Sequence, residues 1–466
     1  MTKTTPLYAF KPALIASLTM IALFGCSNDD DEVIAPPDEP TAQFASLQII
    51  HAGSDAPTVN ITADGEVLNG LENVDYQTVS GRFDVATGTY DVAVEANLPG
   101  DETIEVLTQS LTLDVDMNYD IFAVGTLAQD NLSLLAVTSE STDVEAGNAQ
   151  VQIVHAASLA PTVDIYVTAP GAQVADEQPL VTAAFMDFTA PAQVAAGEYQ
   201  IQITAAGSTD VVFDTGPINL ADGADLIVAA TNNVATGESP VSLLIADGDQ
   251  QALVHDASAS ADIRVVHGIS DAPAVDVIAN NALTLVDGLA FPSATGYLSV
   301  EPDTYLIDVV ADADNSVVAI DDIEVSLEQA MRYTAIANNS LAEPQLNLVT
   351  DMPRSIATAA QIRLFHASPD AGDVDIYVTT DGDIADVSPA FSQVAYNAEM
   401  LNETGYVSLA EGDYYITVTP AGTKEAAIET GMITLVAGGI YTAVAVNGSN
   451  DGDAPQLILQ DDFVSE

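Results

Sequence analysis

Four histidines stand at the same place in four similar stretches: His51, His155, His267 and His366. Serine three residues on and aspartate four residues on would supply a nucleophile, a base and an orienting acid. His51, Ser54 and Asp55 have that spacing, and so do His267, Ser270 and Asp271. The second stretch keeps Ser158 but has Leu159 in the acid's place, and the fourth has Pro369 where the serine should be. A triad also needs an oxyanion hole, and no residue pattern supplies one. Ser and Asp near a proline are ordinary turn formers, so no catalytic residue is assigned. Zinc takes three or four protein ligands, and one histidine per stretch is too few. The four histidines are therefore read as structural, with ring nitrogens bonding backbone groups of the following turn.

Carboxylates are the other abundant ligand type, and calcium takes oxygen ligands. Asp312, Asp314, Asp321 and Asp322 cluster, but Val317 occupies the glycine position of an EF-hand and Ile323 its bidentate acid position. Asp451 and Asp453 form a loose pair. No metal residue is assigned and no cofactor is expected, calcium being the one candidate ion. Trp is absent and most of the 15 Tyr sit at strand positions, which argues against sugar stacking.

Sulfur chemistry reduces to Cys26, the sole cysteine. Disulfides within the chain and CxxC-type metal or redox sites are excluded. Lys3 and Lys11 precede an uncharged run from Ala13 to Phe24, too short to span a bilayer and of the length of a signal peptide's apolar region. The run ends Leu23-Phe24-Gly25-Cys26, which resembles the lipobox of bacterial lipoproteins, with Phe24 a departure from the usual small residue. The resemblance implies cleavage before Cys26, lipidation of its thiol and a membrane anchor. Ser27 after it implies, by the same resemblance, sorting to the outer membrane, with the chain facing either the periplasm or the outside. The stretch Asn28 to Pro40 is acidic and proline-rich, as an extended tether should be.

The elements that must carry the histidines are strands. Leu47–Ile61 reads LQIIHAGSDAPTVNI, Val151–Ile165 VQIVHAASLAPTVDI, Ile263–Val277 IRVVHGISDAPAVDV and Ile362–Ile376 IRLFHASPDAGDVDI. Later landmarks also recur, such as GTYDVAV from Gly88 and GEYQIQI from Gly197. The histidines are 104, 112 and 99 residues apart, a domain-sized period rather than a solenoid one. Alternating apolar runs rich in Val, Ile and Tyr, broken by Gly, Asp, Asn and Pro, predict β-sandwiches. His51 shares a strand face with Leu47 and Ile49, which places its ring at the end of a core strand.

The expected architecture is all-β: four tandem Ig-like antiparallel β-sandwich domains after a lipoprotein signal peptide and acidic tether. The boundaries are 1–25 for the signal peptide, 26–45 for the lipidated cysteine and tether, and 46–139, 149–246, 262–350 and 361–466 for the sandwiches. Short polar linkers between them suggest an extended rod.

The four motif stretches resemble the domain of unknown function 4397 family, whose hallmark is an apolar strand, His-Ala, a Ser-Pro-Asp-Ala-Pro-like turn and Val-Asp-Val-Tyr. Leu159, Gly372 and Asn60 depart from it. The resemblance implies a β-sandwich in a bacterial secreted or surface protein and implies almost nothing about biochemical function.

Charge narrows the partners. With 69 acidic against 8 basic residues the formal net charge is -61, which repels nucleic acid and anionic lipid head groups and favours solubility. Beyond Cys26 the basic residues are Arg82, Arg264, Arg332, Arg354, Arg363 and Lys424. The leading expectation is a non-enzymatic envelope lipoprotein displaying binding or spacer modules to an unidentified protein or glycan. The alternatives are a calcium-dependent adhesion or matrix-binding protein and an envelope hydrolase.

Overall fold

The computed structural model describes residues 43–351, 354–450 and 452–461. Cys26, the expected tether as far as residue 42, and Asp451 lie outside them, while Phe44 and Ala45, placed in the tether from sequence, begin the first strand. Among the described residues there is no α-helix, only two single 3-10 turns at Val174–Asp176 and Pro369–Ala371.

The strands form eight sheets, two to each of four sandwiches. In the first sandwich one sheet is ordered Phe83–Ala86, Phe44–Gly53, Met117–Gly125, Ser133–Glu140. The facing sheet is ordered Glu66–Val67, Val59–Ala63, Gly88–Leu98, Glu102–Leu113. The histidine-bearing strand is always internal to its sheet. Pairing is antiparallel except at one place per sandwich, where that strand runs parallel to its neighbour. The register there is His51↔Ala123, His155↔Ala230, His267↔Ala337 and His366↔Ala445. Parallel neighbours need a long crossover, and the strands of the facing sheet provide it.

Each sandwich has a core of inward side chains. Leu47, Ile49, Val59, Ile61, Val94 and Ile121 are among those buried in the first. The alternation puts Gln48, Ile50 and Ala52 on the opposite face of the same strand, and that face is also buried. Burial on both faces explains why LQIIHAG reads as a near-continuous apolar run rather than a clean alternation.

What covers the second face is the neighbouring sandwich, and here the expectation of an extended rod fails. Ile50, Phe122 and Val137 of the first sandwich pack on Val154, Ala229 and Leu244 of the second in one cluster. Val266 and Ile336 of the third pack likewise on Phe365, Val444 and Val446 of the fourth. Fully burying one such side chain contributes about 1.5–3 kcal/mol, so a face of this composition is not left in water.

The polar stretches between sandwiches also bind rather than merely connect. Gln251–Val254 adds a fifth strand to a sheet of the second sandwich. Its Gln251 side chain accepts from Val79 N at 2.7 Å and donates to Gln77 O at 3.0 Å in the first sandwich. After the third sandwich, Arg354 donates to the carbonyls of Ser54 and Ala56, and Ala357 N donates to Asp55 O.

Candidate functional site

The histidine strand ends where its turn begins, so the imidazole lies under that turn. In every copy Nε2 meets the backbone carbonyl six residues later: Pro57 at 3.2 Å, Pro161 at 3.0 Å, Pro273 at 3.0 Å and Gly372 at 2.7 Å. A carbonyl only accepts, so Nε2 carries the proton and Nδ1 is the acceptor. Gly53 N donates to Nδ1 of His51 at 3.2 Å, and Ile269 N to Nδ1 of His267 at 3.4 Å. Burial holds the His51 imidazole down at about 4. Burial lowers His155, His267 and His366 as well. The four rings are thus neutral at physiological pH and each fastens its own turn.

The serines and aspartates of the motif are used in the same way. Asn232 Nδ2 donates to Ser54 Oγ at 2.9 Å and to Ser158 Oγ at 3.2 Å, so one amide ties the turns of two sandwiches. Asp55 accepts from Leu127 N at 2.7 Å and Ala128 N at 2.8 Å. Asp271 accepts from Leu341 N at 2.8 Å. The Nε2 of each motif histidine faces a carbonyl rather than a serine hydroxyl, so the spacing of His, Ser and Asp does not assemble a nucleophile.

The acid of the Val-Asp-Val step fastens loops of the facing sheet. Asp375 accepts from Gln393 N and Gly422 N, both at 2.8 Å. Asp164 accepts from Gly207 N at 2.7 Å. Asn60, its counterpart in the first sandwich, accepts from Asn73 N at 2.9 Å and donates to Asn97 Oδ1 at 3.0 Å.

The acidic cluster of the third sandwich divides. Asp312 joins Asp276 and Asp287, while Asp321 and Asp322 join Asp308. Within each trio the carboxylate oxygens lie inside 4.8 Å of one another, with one buried and two exposed members. Asp314 caps its own turn instead, accepting from Ser316 N at 3.1 Å and Ser316 Oγ at 2.7 Å, and these bonds lower its pKa. Asp276, Asp287 and Asp308 were not singled out from sequence. Asp308 lies 31 residues beyond Val277, the end of the motif stretch, and no local spacing marks either trio.

Sequence reasoning also missed what the rare cations do. Arg264 and Arg363 are buried with Asp351 between the third and fourth sandwiches. Tyr297 OH and Thr334 Oγ1 donate to the same carboxylate at 2.7 and 2.6 Å, and Arg363 stacks on Tyr406 with 4.4 Å to the ring centroid. Arg82 pairs with Asp120, Arg332 with Asp262 and Arg354 with Asp75. Lys424 donates to the carbonyls of Ile384 and Val387. All six basic residues beyond Cys26 are committed within the chain.

Paired β-sandwiches whose signature residues fasten turns define a protein of tandem all-β modules. The chain belongs to the domain of unknown function family DUF4397, whose model matches residues 45–166 and 261–377. No curated protein matches it. Among solved structures, it is similar to the Bacillus anthracis TIE protein at 9% identity and a TM-score of 0.15, over 88% of this chain and 69% of that one. It is also similar to a product complex of the multi-modular glycogen-degrading pneumococcal virulence factor SpuA at 10% identity and a TM-score of 0.15, over 69% of this chain and 38% of that one.

Proposed function

We propose that the chain is a non-enzymatic cell-envelope lipoprotein, anchored through Cys26, that holds its β-sandwich modules at a membrane surface for binding or spacing. The observation that carries the reading is the use of the motif residues. The four histidines bond backbone carbonyls, and the motif aspartates accept backbone N–H groups. A repeat whose distinguishing residues are consumed in holding turns is a scaffold first. The lipobox-like ending at Cys26 and the acidic tether supply the anchor and the reach.

Two measurements test this. Cells fed an alkyne-tagged fatty acid should label the wild-type chain and not Cys26→Ala, and equal labelling removes the anchor. Proteinase K shaving of intact cells, read on a carboxy-terminal tag beside a periplasmic control, assigns the face. Loss of the tag alone puts the modules outside, whereas protection until the outer membrane is opened puts them in the periplasm.

A calcium-dependent adhesive role is the second reading, favoured by the trios Asp276–Asp287–Asp312 and Asp308–Asp321–Asp322. Millimolar calcium should then raise the Tm well beyond the effect of sodium at equal ionic strength, and Asp308→Asn should reduce that gain. An equal response to both salts removes this reading.

A further inference from the structure

The four sandwiches are built alike but are not filled alike. The space between the two sheets is about 20 Å3 in the third and about 70 Å3 in the first. In the second it is about 240 Å3, larger than the roughly 150 Å3 apolar cavity that admits benzene in an engineered protein.

One position at the mouth sets the second sandwich apart. The edge strand facing the start of each histidine strand places a side chain over the gap between the sheets. Its register partners are Phe83↔Leu47, Ala192↔Val151, Leu298↔Ile263 and Val407↔Ile362. Three sandwiches fill the position with Phe, Leu or Val, and the second has Ala192. A second position responds to the loss. Leu68 packs against the first core alongside Phe83. Its counterpart Leu180, set by the same backbone bond to the facing strand, is 62% exposed at the mouth of the cavity.

The geometry points to a ligand site inside the second sandwich for an uncharged aliphatic chain, entering past Leu180 and Ala192. The walls are aliphatic, with Ile165, Ile201 and Ile218 among them. The polar side chains at the wall are already engaged. Thr189 Oγ1 accepts from Ile153 N at 3.0 Å, and Tyr199 OH donates to Ala195 O at 2.8 Å. No charged residue lines the space, and the chain has no Lys or Arg between Arg82 and Arg264, so a fatty-acid carboxylate would meet no counter-charge there, only the repulsion of a formal net charge of -61. An alcohol, ester or similar neutral head meets no such repulsion. The site is independent of the anchor at Cys26, and the two residues that open it, Leu180 and Ala192, lie outside the motif stretch Val151–Ile165.

The test uses the full chain carrying Cys26→Ser in detergent-free buffer, titrated with the neutral dye 1-N-phenylnaphthylamine. Fluorescence should saturate at one dye per chain. Decanol should displace the dye, and decanoate should need at least tenfold more. Ala192→Phe, which restores the residue of the first sandwich, should weaken dye binding at least tenfold without lowering the Tm. Ala192→Leu, the residue of the third sandwich, should weaken it less and decides the matter if the phenylalanine variant folds poorly. Absence of saturable uptake, or equal uptake by wild type and both variants, overturns the site. Equal displacement by decanoate and decanol overturns the preference for a neutral chain.

Discussion

Arg264 and Arg363 stand at the same step of the histidine strand, three residues before His267 and His366, and both reach the carboxylate of Asp351. The first and second sandwiches have Gln48 and Gln152 at that step. The third and fourth sandwiches thus share one carboxylate between two arginines at that step, whereas in the first sandwich Gln48 accepts from Arg82, which itself pairs with the buried Asp120.

Removing one partner of such a group leaves buried charge uncompensated, which typically costs about 3–5 kcal/mol. Asp351→Ala should destabilise the chain by about that much in chemical denaturation. The triple variant with Arg264→Gln and Arg363→Gln, which removes both stranded cations and places at that step the residue found at Gln48 and Gln152, should recover most of the loss. A recovery below 1 kcal/mol would mean that the charges are not what Asp351 serves.

Phe122 is fully buried between the first and second sandwiches rather than inside either. Phe122→Ala should cost about 3–5 kcal/mol, as large-to-small changes in a core do. A loss under 1 kcal/mol would indicate that the two sandwiches do not depend on this contact in solution.

Asp375 accepts two backbone N–H groups, from Gln393 and Gly422. Asparagine can accept one and must point its amide N–H₂ at the other, so Asp375→Asn should cost about 1–3 kcal/mol in thermal or chemical unfolding. Sandwich one uses Asn60 at this step because its second partner is an acceptor, the side-chain oxygen of Asn97. The reciprocal Asn60→Asp should therefore also destabilise, by setting two acceptors together.

The histidines make stability depend on pH. The ordinary value is 6.5 and burial holds His51 at about 4, so between these values the unfolded chain is protonated and the folded chain is not. This contribution is full above pH 6.5 and is lost as pH falls, by about 3 kcal/mol at about 1.4 kcal/mol per unit. His155, His267 and His366 shift in the same direction. Asp120 opposes them, since burial raises it to about 6 against the pull of Arg82 and it favours the folded state as pH falls below that value. In denaturation at pH 7, 6 and 5, His51→Gln should lose stability less steeply than wild type. Identical slopes would contradict the buried neutral ring.

The strands, the repeated histidine and its face were legible because period-two alternation and an exact recurrence both lie in local sequence. The family and the all-β class followed from the same residues. The pairing of sandwiches was not read, although its trace is present in Ile50 and Ala52, apolar residues on the face opposite Ile49 and His51. Burial on that second face depends on a surface about a hundred residues away. The parallel register, the Asp276 and Asp308 trios and the shared use of Asp351 are likewise products of long-range approach. The enlarged space beside Ala192 becomes visible only when register places Phe83, Leu298 and Val407 at the same point.

The inward commitment of the cations decides which peptide bonds a digestive enzyme can reach. Side-chain exposure is 27% or less at Arg82, Arg264, Arg332, Arg354 and Arg363, and Lys424 alone lies on an exposed loop. A trypsin-like protease needs an accessible basic residue in a loop that can adapt to its cleft. The folded modules offer it one such bond, after Lys424, where nicking leaves the first three sandwiches whole. Scarce, inward-held cations thus shield the described modules from one protease specificity class at every bond but that one, without a disulfide.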